Sequence, residues 1–309
     1  AATFTYWLGE GLQTKKELRQ ASEKEAWQEG KDNPYPSWEE LEAEDRENAP
    51  KIMVTVRDTE GQVVRRFTGP KGKGLHRVHW DFRYPSPEAV DLNPPAWRSP
   101  WGGPTDGPVA MPGTYTVEVS KVVDGVWSDL YGPVEFEAKS LAMATLPADD
   151  EAASLEFRKE VTEAYRAIVG ATSVANEARS RVRHLRQAVI DTSGEDRASL
   201  LADLDTIDHA LLDLQNKFYG DRTVARRQEA TLPGLSSRIG RVVMGFWTTS
   251  SAPTETMRAN HAIVAAELPG VIDELRTLVE VDLAAVEDAV EAQGGPWTPG
   301  RMPVFNGGE

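Results

Sequence analysis

The sequence lacks cysteine altogether and is short of positive charge. Without cysteine among its 309 residues, structural disulfides, thiolate nucleophiles and cysteine-based metal sites are excluded. Its 34 Lys and Arg stand against 49 Asp and Glu, which gives a net charge of −15. Because nucleic acids and anionic membrane surfaces are bound through clustered basic residues, this balance argues against both as partners. No apolar run approaches the roughly 20 residues of a membrane-spanning helix, so no membrane span is expected.

Familiar catalytic motifs are also missing. The chain has no G-x-S-x-G, G-x-G-x-x-G, H-E-x-x-H or EF-hand pattern, and its glycine-rich segment 69–74 lacks the Lys-Ser/Thr ending of a phosphate-binding loop. The five histidines are scattered: His76, His79, His184, His209 and His261. Since no nucleophile, base and orienting group form one constellation, we expect no catalytic site, no resident metal and no cofactor in this chain.

The first half of the chain carries short segments rich in β-branched and aromatic residues. These segments predict strands at residues 3–8, 51–58, 62–68, 74–83, 113–123, 126–131 and 134–138. Gly61 and the pair Asp124-Gly125 supply turn residues between neighbouring strands. Because no crossover helices separate the later strands, the pattern favours an antiparallel Ig-like β-sandwich over residues 1–147, with Trp80 in its core.

A strongly charged segment interrupts the strands at about residues 11–49. It contains two helical stretches separated by the sequence NPYP, which breaks a helix. Ser37 with Glu40 three residues later forms a capping-box pattern at the start of the second stretch. We therefore expect a charged helical insertion between the first and second strands of the sandwich.

Beyond residue 147 the apolar residues repeat about every three and a half positions instead of every two. This period predicts four helices, at residues 151–191, 195–219, 235–247 and 254–293. Pro269 and Gly270 predict a kink in the last one. Short breaks between the helices favour an antiparallel bundle over 148–295, followed by a Pro- and Gly-rich tail at 296–309. The expected fold class is therefore α+β with two domains, a β-sandwich and a helical bundle.

The unequal lengths of the predicted helices suggest that the bundle leaves apolar surface uncovered. One of two stretches is expected to stay exposed, either Val182, Leu185 and Val189 on the first helix or Leu278, Val286 and Val290 on the last. Such a stretch would meet a second copy, the sandwich or a region upstream of residue 1. Trp297 and Phe305 in the tail are expected to cover part of it.

One pair of polar residues raises the question of a metal site. His79 and Asp81 share one face of a predicted strand, where a His and a carboxylate two residues apart can hold a metal or a proton. No third ligand accompanies them. The spacing therefore favours a polar surface pair over a metal site.

A long Pro- and Gly-rich loop at about 84–112 carries the residues proposed to contact a ligand or partner: Tyr84, Trp97, Arg98 and Trp101. Exposed indole rings stack on sugar faces or anchor partner proteins. A docking or structural role of the loop is favoured over ligand binding. The alternative is a carbohydrate-binding platform formed by Trp97 and Trp101.

Two parts of the sequence resemble known families. The run VTVRDTEGQVVRRFTGPKGKGLHRVHWDFRY, followed by VAMPGTYTVEV, resembles the Ig-like module also seen in flagellar hook-capping proteins. The wider layout of TFTYWL, the charged insertion, PPAWRSPWGGP and GGPWTPGRMPVF is similar to the C-terminal portion of bacterial Asp-box (BNR repeat) propeller proteins. Those proteins are similar to sortilin ectodomains and are often labelled glycosyl hydrolases or exo-sialidases.

This resemblance implies a larger exported protein, periplasmic or extracellular, with a propeller and any export signal upstream of this chain. The function expected for the chain is an accessory role in domain docking or assembly, and the uncovered stripes of the bundle add self-association as an expectation. The alternative is a carbohydrate-binding module that supports a sialidase-like glycoside hydrolase by binding a glycan. No Asp-box of the type S-x-D-x-G-x-T-W occurs here, so no catalytic residue is carried over from the family.

Overall fold

The structure, a computed structural model, describes residues 1–33, 35–92, 107–141, 148–247, 249 and 251–305. It contains two antiparallel sheets, and about half of the chain is helical. The mixed α+β class expected from the sequence is thereby confirmed. Contacts divide the chain into two compact units, residues 1–86 with 106–147 and residues 87–105 with 148–309.

The strands described in the first unit form two sheets. They are β1 (Ala2–Leu8), β2 (Lys51–Arg57), β3 (Val63–Gly69), β4 (Gly74–Trp80), β5 (Gly113–Val123) and β6 (Val126–Ala138). One sheet pairs β1 with β4, the other has the order β3-β2-β5-β6, and every pairing is antiparallel. The sequence predicted two short strands after the Asp124-Gly125 turn, whereas β6 is one strand.

The two sheets share one apolar core, to which alternate residues of each strand contribute. Trp80 is 1% exposed, which confirms the expectation from the sequence, and its indole nitrogen donates a 3.0 Å hydrogen bond to the backbone oxygen of Arg83. β4 ends at Trp80 rather than at residue 83 because Phe82 has a left-handed backbone, with φ of 61°, which a strand does not accommodate. The ring of Phe82 still packs against Trp80, with their centroids 5.0 Å apart.

Two helices between β1 and β2, α1 (Lys15–Gln28) and α2 (Trp38–Asp45), form what we call the helical arm. The predicted capping box of Ser37 and Glu40 opens α2, and the same motif opens α1. Neither helix contains a buried residue. The helical arm therefore contributes no side chain to the fully buried core of the first unit.

The second unit is built from helices. They are α3 (Glu151–Asp191), α4 (Arg197–Tyr219), α5 (Arg222–Arg226), α6 (Leu235–Phe246), α7 (Glu255–Thr277) and α8 (Ala284–Ala292), with a π-helical segment at Leu278–Leu283 between the last two. The bounds of α3 match the prediction, and its 41 residues span roughly 60 Å at the usual rise per residue. The short α5 and the π-helical segment were not predicted, and α7 continues through Pro269.

Ion pairs show that α3 and α4 run antiparallel. Arg179 contacts Asp208 at 3.1 Å, and Arg186, further along α3, contacts the earlier Asp205 of α4 at 2.6 Å. Partners that advance along one helix and retreat along the other define opposite directions. No helix among the residues that the structure describes is long and apolar enough to cross a membrane.

The prediction that the helical unit leaves an apolar stretch exposed is wrong. The apolar cluster of this unit buries five of the six residues, which are Val182, Leu185, Val189, Val286 and Val290. Leu278, the sixth, is partly buried and packs against the same cluster. Unequal helix length does not leave these residues uncovered, because helices α4, α6 and α7 and the π-helical segment all contact α3. The apolar stripes are accounted for within one chain, so they give no support to self-association.

The tail does not cover an apolar patch as predicted, since Trp297 and Phe305 are 61% and 92% exposed. Arg301 holds it instead, through ion pairs with carboxylates of α8. Its partners are Asp288 and Glu291, with buried Glu287 further away at 3.7 Å. Electrostatic contacts, and not the aromatic rings, therefore attach this segment.

Candidate functional site

The loop residues proposed from the sequence lie largely outside the described residues, as Trp97, Arg98 and Trp101 do. Tyr84 is described and is half-buried. Its amide donates a 3.0 Å hydrogen bond to the backbone oxygen of Pro108, and its own backbone oxygen accepts one from Arg65. Tyr84 packs against the core of the first unit, so the contacts described for it hold the start of the loop on the sheet.

His79 and Asp81 each bond to a near neighbour. The Nδ1 atom of His79 lies 3.0 Å from the hydroxyl of Thr3, and a carboxylate oxygen of Asp81 accepts the amide of Arg83. β4 ends between His79 and Asp81, so the two no longer belong to one regular strand. Among the residues described, no group of three or more His, Cys, Asp and Glu could hold a metal ion.

An apolar groove of about 560 Å³ lies between β1 of one sheet and β5 and β6 of the other. Its lining consists of Ala2, Thr3, Phe4, Thr5, Tyr6, Trp7, Val117, Val119, Tyr131, Gly132, Val134 and Phe136. None of these is Asp, Glu, His, Lys or Arg. The groove therefore suits binding of an uncharged apolar partner and offers no carboxylate or imidazole for acid–base chemistry.

The walls of this groove, which we call the β1–β6 groove, follow from strand alternation. Phe4 on β1 and Phe136 on β6 meet edge to face across it, with ring centroids 5.2 Å apart. Tyr6 continues the β1 wall, where its hydroxyl donates a 2.7 Å hydrogen bond to the backbone oxygen of Pro70. Burial raises the pKa of Tyr6, so this hydroxyl stays a neutral donor at ordinary pH.

The backbone of β1 is paired on one side only among the described residues, with β4 over the whole length from Ala2 to Leu8. On the other side the hydroxyl of Tyr131 donates a 2.8 Å hydrogen bond to the backbone oxygen of Trp7. In an antiparallel strand the N–H and C=O groups of one residue point to the same side, so the backbone groups of Trp7 point away from β4. The same alternation turns the backbone groups of Thr3 and Thr5 toward the groove.

The sequence did not reveal this groove. The alternation of Phe4 and Tyr6 with Thr3 and Thr5 predicts a strand with one buried face, but it carries no information about how many neighbours the strand has. The groove becomes visible only when the two described sheets are compared, because one has two strands and the other has four.

In comparisons with protein-family models, with curated proteins and with solved structures, nothing matches this chain.

Proposed function

We propose that this chain is a non-catalytic docking region at the C-terminal end of a larger exported propeller protein, which we call the parent protein. Its first unit would be an Ig-like β-sandwich with the helical arm inserted, and its second an antiparallel helical bundle. The observation that carries the proposal is the β1–β6 groove, which is apolar, open and free of ionisable Asp, Glu, His, Lys and Arg. Exposed apolar surface of this kind serves binding rather than chemistry.

The proposed partner is the region upstream of this chain in the parent protein. Support comes from the sequence resemblance to the C-terminal portion of Asp-box propeller proteins, in which the propeller precedes such a region. The acidic balance of the chain, with a net charge of −15, argues against nucleic acid as the partner.

Site-specific photocrosslinking in the parent protein tests this docking. A benzophenone amino acid at Val134, which lines the groove, is expected to form a crosslink to a peptide of the upstream region. The matched control is Glu135, the exposed neighbour on the opposite face of β6, which should form no such crosslink. Equal crosslinking from both positions, or none from Val134, would refute docking through the groove.

Hydrolysis assays test the non-catalytic part of the proposal. The purified chain is expected to cleave no sialoside or common glycoside, because the groove holds no carboxylate pair. Turnover that disappears on mutation of one of its own residues would overturn the proposal. A glycan array that binds the chain, but not the Trp97→Ala/Trp101→Ala variant, would replace docking by the carbohydrate-binding alternative.

A further inference from the structure

The two sheets of the first unit are unequal in a way that leaves the β1–β6 groove open. The four-stranded sheet extends to β6, whereas the facing sheet ends at β1 in the described part of the chain. Val134 and Phe136 on β6 therefore lie opposite a position at which the facing sheet has no described strand. Apolar sheet faces are stable when another layer covers them, so this position is suited to one more strand.

The free edge of β1 specifies what kind of layer fits. On the side away from β4, the backbone oxygen of Trp7 accepts the hydroxyl of Tyr131, while Thr3 and Thr5 present backbone N–H and C=O groups at the regular spacing of a strand. Backbone groups exposed in this way along a strand edge bind an extended polypeptide through ladder hydrogen bonds. A helix or a small apolar ligand would fill the groove but leave the row of backbone groups unpaired.

We infer that the β1–β6 groove takes up an extended strand, antiparallel to β1, from the polypeptide that leads into residue 1 in the parent protein. The inference rests on the proposed function, in which further chain precedes this region. The strand pairs with Thr3 and Thr5 and extends the β1–β4 sheet to three strands. Its alternate apolar side chains enter the groove and pack on its lining, which includes Phe4, Val134 and Phe136.

The length of the connection favours an antiparallel strand that comes directly before residue 1 over a parallel strand. An antiparallel neighbour of β1 is reached by a two-residue turn just before the strand, whereas a parallel one needs a crossover of a dozen or more residues. The groove starts at Ala2, where such a turn would deliver the incoming strand. Side chains that enter the groove are uncharged, since no Asp, Glu, Lys, Arg or His of the described lining would pair with a charge there.

Hydrogen exchange measures the predicted pairing directly. In the 309-residue chain the amides of Thr3 and Thr5 are expected to exchange at least tenfold faster than those of Phe4 and Tyr6, which face β4. In the parent protein the Thr3 and Thr5 amides are expected to become as slow as their neighbours. Fast exchange at both positions in the parent, or slow exchange in the 309-residue chain, overturns the inference.

A designed extension tests the orientation of the added strand. Val-Thr-Val-Thr-Val-Thr followed by an Asn-Gly turn, fused before Ala1, places its valines opposite Ala2, Phe4 and Tyr6 and so toward the groove. The control, Thr-Val-Thr-Val-Thr-Val with the same turn, has the same composition and turns its valines outward. The first extension is expected to slow exchange at Thr3 and Thr5 at least tenfold and to raise the unfolding temperature. Equal effects of the two extensions, or no effect of the first, contradict the inference.

The two sets of experiments separate the inference from the proposed function. If Val134 crosslinks to the upstream region while the Thr3 and Thr5 amides of the parent protein remain fast, docking holds and strand addition is wrong. If the designed extension is accepted but the parent protein shows no crosslink from Val134, the upstream source and the proposed docking are both wrong.

Discussion

The phenol of Tyr131 on β6 donates a 2.8 Å hydrogen bond to the backbone oxygen of Trp7 on β1, across the opening between the two sheets. It connects strands that lie in different sheets, and it shows that the backbone oxygen of Trp7 points away from β4. Because a carbonyl oxygen has two lone pairs, the same oxygen can also accept an amide of an added strand. Tyr131 thus joins β6 to β1 at the Trp7 end of the groove.

Replacing Tyr131 by Phe is expected to lower the free energy of unfolding by roughly 1 kcal/mol, the usual net value of one hydrogen bond. The matched control is Tyr219→Phe in the helical unit, because Tyr219 has nearly the same exposure, 46% against 47%. Urea denaturation of both variants gives the difference. An equal effect of the two substitutions would contradict a stabilising role for the contact with Trp7.

Trp80→Ala is expected to destabilise the first unit by about 3–5 kcal/mol, as large aromatic truncations in cores do. The indole is surrounded by the rings of Phe82, Tyr115 and Phe136, with centroids 5.0 to 6.1 Å away. Trp127→Ala serves as control because Trp127 is half exposed, and it should cost far less. Denaturation followed by near-ultraviolet circular dichroism, which reports aromatic packing, compares the two. A loss below 1 kcal/mol for Trp80→Ala would contradict its place in the core.

Local patterns in the sequence predicted most elements of this fold. Alternation placed Val78 and Trp80 in the core, and the capping box of Ser37 and Glu40 marked the start of α2. The predicted end of the strand that contains Trp80, at residue 83, was wrong, because strand periodicity does not reveal the left-handed backbone at Phe82. The sequence therefore predicted whether an element is a helix or a strand better than it predicted where that element ends.

What the sequence could not supply is the identity of each element's neighbours. Val182 and Val290 form stripes that look too long to be covered, yet both are buried, because coverage depends on how the other helices cross them. The β1–β6 groove was hidden for the opposite reason, since Phe4 looks like an ordinary core residue. Apolar periodicity shows which face is buried, but it does not show what lies against that face.

Alkaline pH is expected to destabilise the first unit through Tyr115. Burial, with smaller contributions from the negative charges of Tyr84 and Asp58, raises the pKa of Tyr115 to about 12, and its hydroxyl donates a 2.6 Å hydrogen bond to the backbone oxygen of Met111. The unfolded tyrosine loses its proton near pH 10, so above that pH the unfolded state binds fewer protons than the folded state. The stability contributed by the protonated phenol is complete below about pH 10 and is lost as the pH rises to about 12.

Tyr115→Phe removes this ionisable group, and the fall in stability between pH 10 and 12 should become shallower. Urea unfolding at pH 8 and pH 11 measures the change. The fall will not vanish, because burial also raises the pKa of Tyr6 in the same unit. Identical pH dependence of Tyr115→Phe and the unsubstituted chain would contradict the assignment.

The helical unit contains a buried carboxylate whose partner should matter. Glu287 is buried and accepts two hydrogen bonds from Arg181, at 2.8 and 2.7 Å. Arg181→Ala is expected to cost roughly 3 kcal/mol, because it leaves a buried charge with only the more distant Arg301 near it. The control is Lys217→Ala, whose ion-pair partner Glu274 is exposed, and which should cost at most about 1 kcal/mol. Similar losses in the two variants would show that Glu287 is not held in place by Arg181.

The last prediction concerns the helical arm, which the first unit should not need in order to fold. Its helices α1 and α2 have no buried residue, and Arg19 joins them by an ion pair of 2.6 Å with Glu44. The arm's ends lie together, since the amide of Lys15 donates a 2.7 Å hydrogen bond to the carboxylate of Glu47. A short Gly-Ser linker in place of residues 15–47 should therefore close the gap without strain.

The unfolding free energy of the first unit is expected to change by less than about 1 kcal/mol in this variant, because the linker removes surface helices and almost no buried apolar area. Far-ultraviolet circular dichroism should record the lost helix. The unfolding free energy is taken from urea denaturation followed by hydrogen exchange at buried Val54 and Val56, because the exposed Trp27 and Trp38 leave with the arm and change the fluorescence. Leu12→Ala is the matched control, because Leu12 lies just before the arm and packs against the core. If the linker variant loses more stability than Leu12→Ala, the arm supports the fold, and its charged surface is not free to serve binding alone.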